Sequence, residues 1–447
     1  MSQTQKILVI GAGRSSSNLI QYLIQHAAEE NWTVRVGDVD IRNAQQKIAG
    51  YEAVAVAFAL DGASDGQRKQ EIAEADLVIS MLPASMHMPV ALDCLEFDKN
   101  VITPSYIPDE MWALDAAAKA KGIVMLNEMG VDPGIDHMSA MEIIHRLKAE
   151  GAELESFESF TGGLVAPESD DNPWNYKITW NPRNVVLAGY GGTARYQEDG
   201  GMKYIPYQRL FREITPVEIE GYGHFDGYAN RDSLKYKKIY GLETIPTLYR
   251  GTLRRGGYCK AWDALITLGL TDDSFEVDKP SSLTWKQFTQ SFLPSGSYGS
   301  TEDQLKRFCN DDTVYQKLVW LGLLSEEPLG VEKGTPAEIL QKRIESKWVL
   351  GAHDKDMIVM WHRFRFKKEG ARHEISASLI TLGDDTIYTA MSKTVGLPIA
   401  IAAKKILRGE WTLSGVTLPV TPDIYVPILE ELRTFGIQFQ EQHKLLS

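Results

Sequence analysis

Apolar residues in the first third of the chain fall into short blocks: KILVI at 6 to 10, WTVRVGD at 32 to 38, AVAVAFAL at 53 to 60, DLVISML at 76 to 82, NVITPS at 100 to 105 and GIVMLNE at 122 to 128. Between the blocks apolar positions recur at helical spacing, as Leu19, Ile20, Leu23 and Ile24 do. This alternation of strand and helix predicts an α/β fold, a parallel sheet with helices on both faces and a ligand at the carboxyl ends of the strands. Further along, residues 150 to 255 carry short β-like runs such as SFESFTGG and YKITW, and 260 to 347 carry helical patterns such as AWDALITLGL and YQKLVWLGLL. MIVMWHRFRF and HEISASLIT then return to strand alternation, so the second region is expected to be built from two separated segments. A last helical run starts near 394.

Length and charge narrow the function. At 447 residues the chain is about three times a common domain of ~150, so two or three domains are expected. With 43% hydrophobic and 24% charged residues it has the composition of an ordinary globular protein. Sixty acidic against 47 basic side chains give a net charge of -13, which repels nucleic acid, and there is no local basic patch. The N-terminal MSQTQKILVI contains no signal-peptide core, and no apolar run approaches ~18 residues, so a cytoplasmic protein without a membrane partner is expected. Cys94, Cys259 and Cys309 are widely spaced and lack any C-x-x-C, which points to free thiols.

The first block turns on glycines. In KILVIGAGRSSSNLI, Gly11 and Gly13 fit the first two positions of the dinucleotide fingerprint: one for the sharp turn, one for close approach of a pyrophosphate to the helix N-terminus. Arg14 and Ser15 complete that loop as cofactor candidates, and Ser16 takes the third place of the motif. Asp38 ends the second strand, where a carboxylate accepts the adenosine ribose hydroxyls and repels a 2'-phosphate. Val39 offers no guanidinium, so the position favours NAD over NADP, although Arg35 or Arg42 could swing in. A second conspicuous stretch is NEMGVDPGIDHM, 127 to 138, where Glu128, Asp132, Asp136 and His137 crowd around two glycines and a proline. Asp132, Asp136 and His137 match no compact metal-ligand spacing. Asp132 can instead cap a helix whose first residue is Pro133, with Ile135, Met138 and Met141 on one face, while Gly130 and Gly134 let the backbone approach a ligand.

The blocks NEMGVDPGIDHMSAMEII, SFESFTGGLVAPESDDNPWNYKITWNPRNVVLAG, GYANRDSLKYKKIYGL, TLYRGTLRRGGYCKAWDALITLGL and TVGLPIAIAAKKILRGE, in this order, resemble the glutamate-forming saccharopine dehydrogenases, also called saccharopine reductases. The resemblance runs from the first strand to about residue 435. It implies three domains: a Rossmann-type domain over 1–130 joined by the C-terminal segment 394–447, a mixed α/β substrate domain over 131–258 and 350–393, and a mainly helical insert over 259–349. It also implies a reaction, the interconversion of saccharopine with glutamate and 2-aminoadipate 6-semialdehyde by hydride exchange with NAD or NADP and imine hydrolysis in lysine metabolism, without a metal.

A substrate with several carboxylates calls for arginines, and Arg231 and Arg254 fall on the family's substrate positions with Thr252 and Leu253 beside the latter. Ser105 and Tyr106, after the fifth strand, also match substrate contacts. Met81, Leu82 and Pro83 resemble the family's turn against the dinucleotide, and Asp61 is expected near the adenine. Asp132 is the first candidate for the acid or base, with Tyr106 able to donate a proton and Lys177 in second place. Thr161 stands where relatives commonly show cysteine, which leaves room for the reductive coupling of another amine and aldehyde, such as a carboxylated polyamine. A nucleotide-binding regulator without turnover is a third reading, against which the two arginines speak. A homodimer is the default expectation for an oligomer.

Overall fold

In the computed structural model, which describes residues 4–190, 192–296 and 298–446, the chain separates into two compact units. One comprises Met1–Glu153 with Leu379–Glu441, the other Leu154–Ser378 with Gln442–Ser447. The apolar blocks of the first unit become β1 (Gln5–Ile10), β2 (Trp32–Asp38), β3 (Ala55–Ala59), β4 (Leu77–Ser80), β5 (Asn100–Ile102) and β6 (Val124–Leu126). Their ladders are parallel, with Val9 of β1 opposite Val36 of β2 and Ile79 of β4. Ile7, Leu8, Val9 and Ile10 are each at most 1% exposed, as expected where both faces of a parallel strand are covered. The helix Ser17–Glu30 buries Leu19, Ile20, Leu23 and Ile24, worth roughly 1.5–3 kcal/mol each relative to exposure. It stops at Asn31, whose φ of 57° places it in the left-handed region.

The second unit contains β7 (Glu153–Val165), β8 (Ala194–Glu198), β9 (Gly201–Ile205), β10 (Thr215–Ile219), β11 (Gly223–Ala229), β12 (Thr247–Arg255), β13 (Asp356–Lys368) and β14 (Ala371–Leu382). Its sheet is mixed: β11 runs antiparallel to β10 and β12, whereas β12 runs parallel to β7. The Phe160 ring of β7 lies across Gly227 and Gly251, where any Cβ would come within 2.9 and 2.3 Å of it. YKITW is not a strand. Tyr176, Lys177, Ile178 and Thr179 are all buried, so the run has no wet face, and Ile178 N donates to Trp348 O at 2.8 Å instead of joining a ladder. The helical patterns hold at Tyr258–Leu268, Trp285–Phe292, Thr301–Cys309, Asp312–Leu321 and Pro336–Lys347, three of them started by capping boxes at Thr284, Ser300 and Thr335. These helices group with the second sheet instead of standing apart as an insert.

Two late strands divide between the units. β15 (Gly415–Thr417) pairs with β6, and β16 (Gln440–Leu446) with β14. The first sheet therefore reads β15-β6-β5-β4-β1-β2-β3, and the main path of the second β10-β11-β12-β7-β13-β14-β16. The last residues thus leave the dinucleotide-type unit, unlike the expected segment 394–447. In the first unit the helix Ala390–Leu407 lies so close to Ser17–Glu30 that a Cβ on Gly396 would be 2.7 Å from Leu19 N, and Asn18 N donates to Ser392 Oγ at 2.9 Å. The helix Ile135–Ala149 also belongs to this unit, held to Pro422–Thr434 by Arg433 with Glu142 at 3.1 Å and Tyr425 with His145 at 2.9 Å. Among the described residues no helix is long and apolar enough to cross a membrane.

Candidate functional site

The fingerprint loop leaves the carboxyl end of β1. Gly11 has φ of 101°, and a Cβ there would stand 2.9 Å from Met81 O, so the turn at Met81, Leu82 and Pro83 after β4 sits directly against it. Gly13 differs: its φ of -67° suits any residue, and a Cβ would meet nothing within 4 Å. The fold itself does not require glycine at 13. The open space at 13 leaves room for a pyrophosphate above the loop that Gly11, Gly13, Arg14 and Ser15 form, the use the fingerprint implies. Asp38 closes the loop from β2, accepting Ala12 N on Oδ2 at 2.7 Å and Asp40 N on Oδ1 at 2.9 Å. Arg35 is gripped by Glu71 through two nitrogens and lies over the Phe58 ring, whereas Arg42 forms an exposed pair with Asp40. Asp61, exposed two residues past β3, accepts Ala63 N at 2.9 Å.

Ser105 and Tyr106 follow β5, both half-buried, and the segment 127–134 follows the adjacent β6. The Tyr106 hydroxyl donates to Asp132 Oδ1 at 2.6 Å, which joins the two catalytic candidates. Asp132 is not a helix cap: its peptide bond to Pro133 is cis, and the helix begins at Ile135 with Gly134 as N-cap. A Cβ on Gly134, whose φ is 146°, would lie 2.0 Å from Gly130 O, so backbone passing backbone demands glycine there, and one on Gly130 would stand a tight 3.1 Å from Pro104 O. The other acids of this stretch hold the loop. Glu128 is fully buried at φ 58°, accepting Ile107 N on Oε1 at 2.9 Å and pairing with His137 Nε2 through Oε2 at 2.7 Å. Asp136 accepts Gly134 N at 2.6 Å. Among the described residues no group of three or more His, Cys, Asp or Glu is arranged for a metal ion.

The remaining candidates lie in the second unit. Arg231, at φ 40°, lines a cavity of about 440 Å³ with Tyr190, Thr193, Arg195, Leu210 and Asp232. Arg254, on β12, is 3% exposed and outside that lining. Its Nη1 donates to Leu253 O at 2.8 Å, its guanidinium stands 5.1 to 5.8 Å from the Tyr176, Tyr258 and Tyr228 rings, and its buried Nε has no partner among the described residues. A buried guanidinium among aromatic rings with a donor to spare suits an incoming anion. Arg255 is held by the Tyr222 carbonyl and the Phe225 ring. Thr252 is opposite Thr161 of β7, whose buried Oγ1 also lacks a partner among the described residues. Lys177 is committed elsewhere. Burial pulls its amine down, but hydrogen bonds with Asp354 and Asp171 outweigh this and hold it above the ordinary lysine range, so it is a poor base.

Two residues that sequence reasoning passed over belong to the first unit's polar set. Lys47 reaches back from the helix Ile41–Ile48 to Gly13 O, Ser17 Oγ at 2.9 Å and Ser16 Oγ at 3.1 Å, and burial pushes its amine down to about 8. His87, the first residue of the helix His87–Glu96, bonds Ser80 Oγ at 2.9 Å and Ser105 Oγ at 2.8 Å. No local motif marks either one, because both act through partners on other elements.

Two family models cover most of the chain: the saccharopine dehydrogenase NADP binding domain at residues 7–126 and the saccharopine dehydrogenase C-terminal domain at 130–437. The Saccharomyces cerevisiae saccharopine dehydrogenase [NADP(+), L-glutamate-forming] is 33% identical over 98% of this chain and 99% of its own. The mouse mitochondrial alpha-aminoadipic semialdehyde synthase is 36% identical over 99% of this chain, which spans about half of that relative's length, 48%. A solved apo structure of the Saccharomyces cerevisiae enzyme superposes with a TM-score of 0.88 at 30% identity, covering 98% of this chain and 100% of that one.

Proposed function

Because the chain belongs to the saccharopine dehydrogenase family, we propose that it interconverts saccharopine with L-glutamate and 2-aminoadipate 6-semialdehyde, using a nicotinamide dinucleotide. The observation that carries this reading is the Tyr106–Asp132 hydrogen bond of 2.6 Å at the carboxyl ends of adjacent strands, in the sheet whose first turn bears the dinucleotide fingerprint. When bound, the nicotinamide takes up or returns a hydride. The chain's own residues move protons and hold carboxylates. As the carbon that becomes the aldehyde loses its hydride, the secondary nitrogen loses a proton, and the Asp132 carboxylate is the group proposed to take it. Water then adds to the resulting imine. As it adds, Asp132 returns its proton to the nitrogen and takes one from the water; it then passes that proton to the nitrogen and takes the carbinolamine hydroxyl proton as the carbon–nitrogen bond breaks, releasing glutamate and the aldehyde. Arg231 and Arg254 of the second unit, with Thr252 and Leu253 alongside, are proposed as carboxylate-binding residues.

Asp38 supports NAD as the better cofactor, since its carboxylate would repel a 2'-phosphate and Arg35 is committed to Glu71. The NADP(+) named for the yeast relative and the NADP binding domain named for the family model favour the opposite choice, with Lys47 and exposed Arg42 as cations to meet the phosphate. Initial rates of saccharopine oxidation with each cofactor test both points. The expected result is reduction of either nicotinamide with at least about tenfold lower KM for NAD, the difference that ~1.4 kcal/mol of repulsion makes. A lower KM for NADP removes the NAD preference, and no reduction with either removes the activity.

A further inference from the structure

Ser80, His87 and Ser105 form a chain of hydroxyl, imidazole and hydroxyl that the proton path above does not use. Ser80 closes β4 and is 0% exposed, His87 is 2% exposed, and Ser105 stands half-buried at the carboxyl end of β5, the edge where an open parallel sheet meets its ligand. Among the described residues neither serine Oγ has a hydrogen-bond partner other than the ring. Burial pushes the His87 pKa down to about 4, so the ring is neutral at pH 7, with one N–H and one acceptor nitrogen. Two proton arrangements remain. In one, Nδ1–H donates to Ser80 and Nε2 accepts from Ser105, which leaves the Ser80 hydroxyl proton buried without an acceptor, at a cost of about 1–3 kcal/mol. In the other, Ser80 donates to Nδ1 and Nε2–H donates to Ser105 Oγ, and every buried donor in the chain is satisfied.

The second arrangement fixes what Ser105 can offer. One of its two lone pairs accepts the imidazole N–H, and its own proton, not spent on the ring, remains to be given. We infer that His87 is a positioning residue that frees the Ser105 hydroxyl proton and presents it as a hydrogen-bond donor to a carboxylate oxygen of the substrate. The identity of the ligand rests on the proposed saccharopine activity; the tautomer does not.

The two are separated by experiment. In apo protein labelled with ¹⁵N-histidine at pH 7, with the His87 signals identified by their loss in His87→Phe or His87→Gln, the proton is expected on Nε2 and Nδ1 bare. A proton on Nδ1, or on both nitrogens, overturns the inference whatever the substrate proves to be. In saccharopine turnover, His87→Phe keeps a ring but no donor, and should raise KM for saccharopine about tenfold, the worth of one ordinary hydrogen bond, with kcat within about threefold. His87→Gln, whose amide can donate, should recover most of that loss, and the Kd for the nicotinamide cofactor alone should be unchanged in both. An unaltered KM in the folded variants also overturns the inference, whereas wild-type protein inert toward saccharopine strikes at the proposed function and leaves the tautomer measurement standing.

Discussion

Two glycine turns follow strands of the same sheet, and they use glycine for opposite reasons. The loop after β1 keeps Gly13 facing open space, where a Cβ would touch nothing within 4 Å. The loop after β6 keeps Gly130 and Gly134 facing the protein's own backbone, with a Cβ on Gly134 only 2.0 Å from Gly130 O. In sequence both look like places where a ligand comes close. What a Cβ would meet distinguishes a ligand cradle from a structural knot, and the knot carries Asp132, the proposed base, at its centre.

The comparison can be broken most severely at Gly134. Gly134→Ala should destabilise the protein by more than about 4 kcal/mol or abolish folding, seen as lost expression or a collapsed melting temperature, since both φ and space forbid a side chain. A well-folded variant would show that the loop can re-form. Next comes Asp132→Asn, which should lower kcat for saccharopine roughly 10²–10⁴-fold while leaving the melting curve and cofactor Kd unchanged; unchanged kinetics would remove Asp132 from the proton path. Gly13→Val sharpens the contrast from the other side. It should keep wild-type stability yet raise the cofactor Kd about 10- to 100-fold, the equivalent of one or two charge-assisted hydrogen bonds, as read by fluorescence titration. Equal affinity would mean that the pyrophosphate lies elsewhere.

The smallest effect concerns Lys47, which ties the first loop to the helix Ile41–Ile48. Its folded pKa of about 8 lies below the ordinary 10.5, so the unfolded chain binds more protons at this site between those values. The cost of burying its ammonium is therefore present below pH 8 and relieved as pH rises toward 10.5. Across that window wild-type stability should gain on that of Lys47→Met in urea titrations; parallel curves would show that Lys47 does not titrate there.

Six of the seven strands of the first sheet and the glycine turn after β1 were legible because each rests on local periodicity or on a turn a few residues long. The same logic failed at YKITW, where tertiary contacts bury both faces, so alternation carries no information about a strand. At 127–138 the expected geometry does not match the structure. Asp132 was expected to cap a helix that in fact starts at Ile135, because the cap expectation counts only neighbouring residues and the loop is set by Glu128 reaching Ile107 N and His137. Lys47 and His87 had no local signal at all. Each acts through partners supplied by other strands and loops of the sheet, and such pairings are fixed by register, which composition and spacing do not reveal.

The close crossing of the helices Ser17–Glu30 and Ala390–Leu407 has a consequence for how the molecule is made. Asn18 and Ser392, hydrogen-bonded there, are 374 positions apart. At ribosomal speeds of about 5–20 residues per second, the nascent first helix waits roughly 20 to 75 s for the helix that covers it, while residues Leu154–Ser378 of the second unit are being synthesised. Throughout that interval the Leu19 face lacks the helix that Gly396 later brings against it.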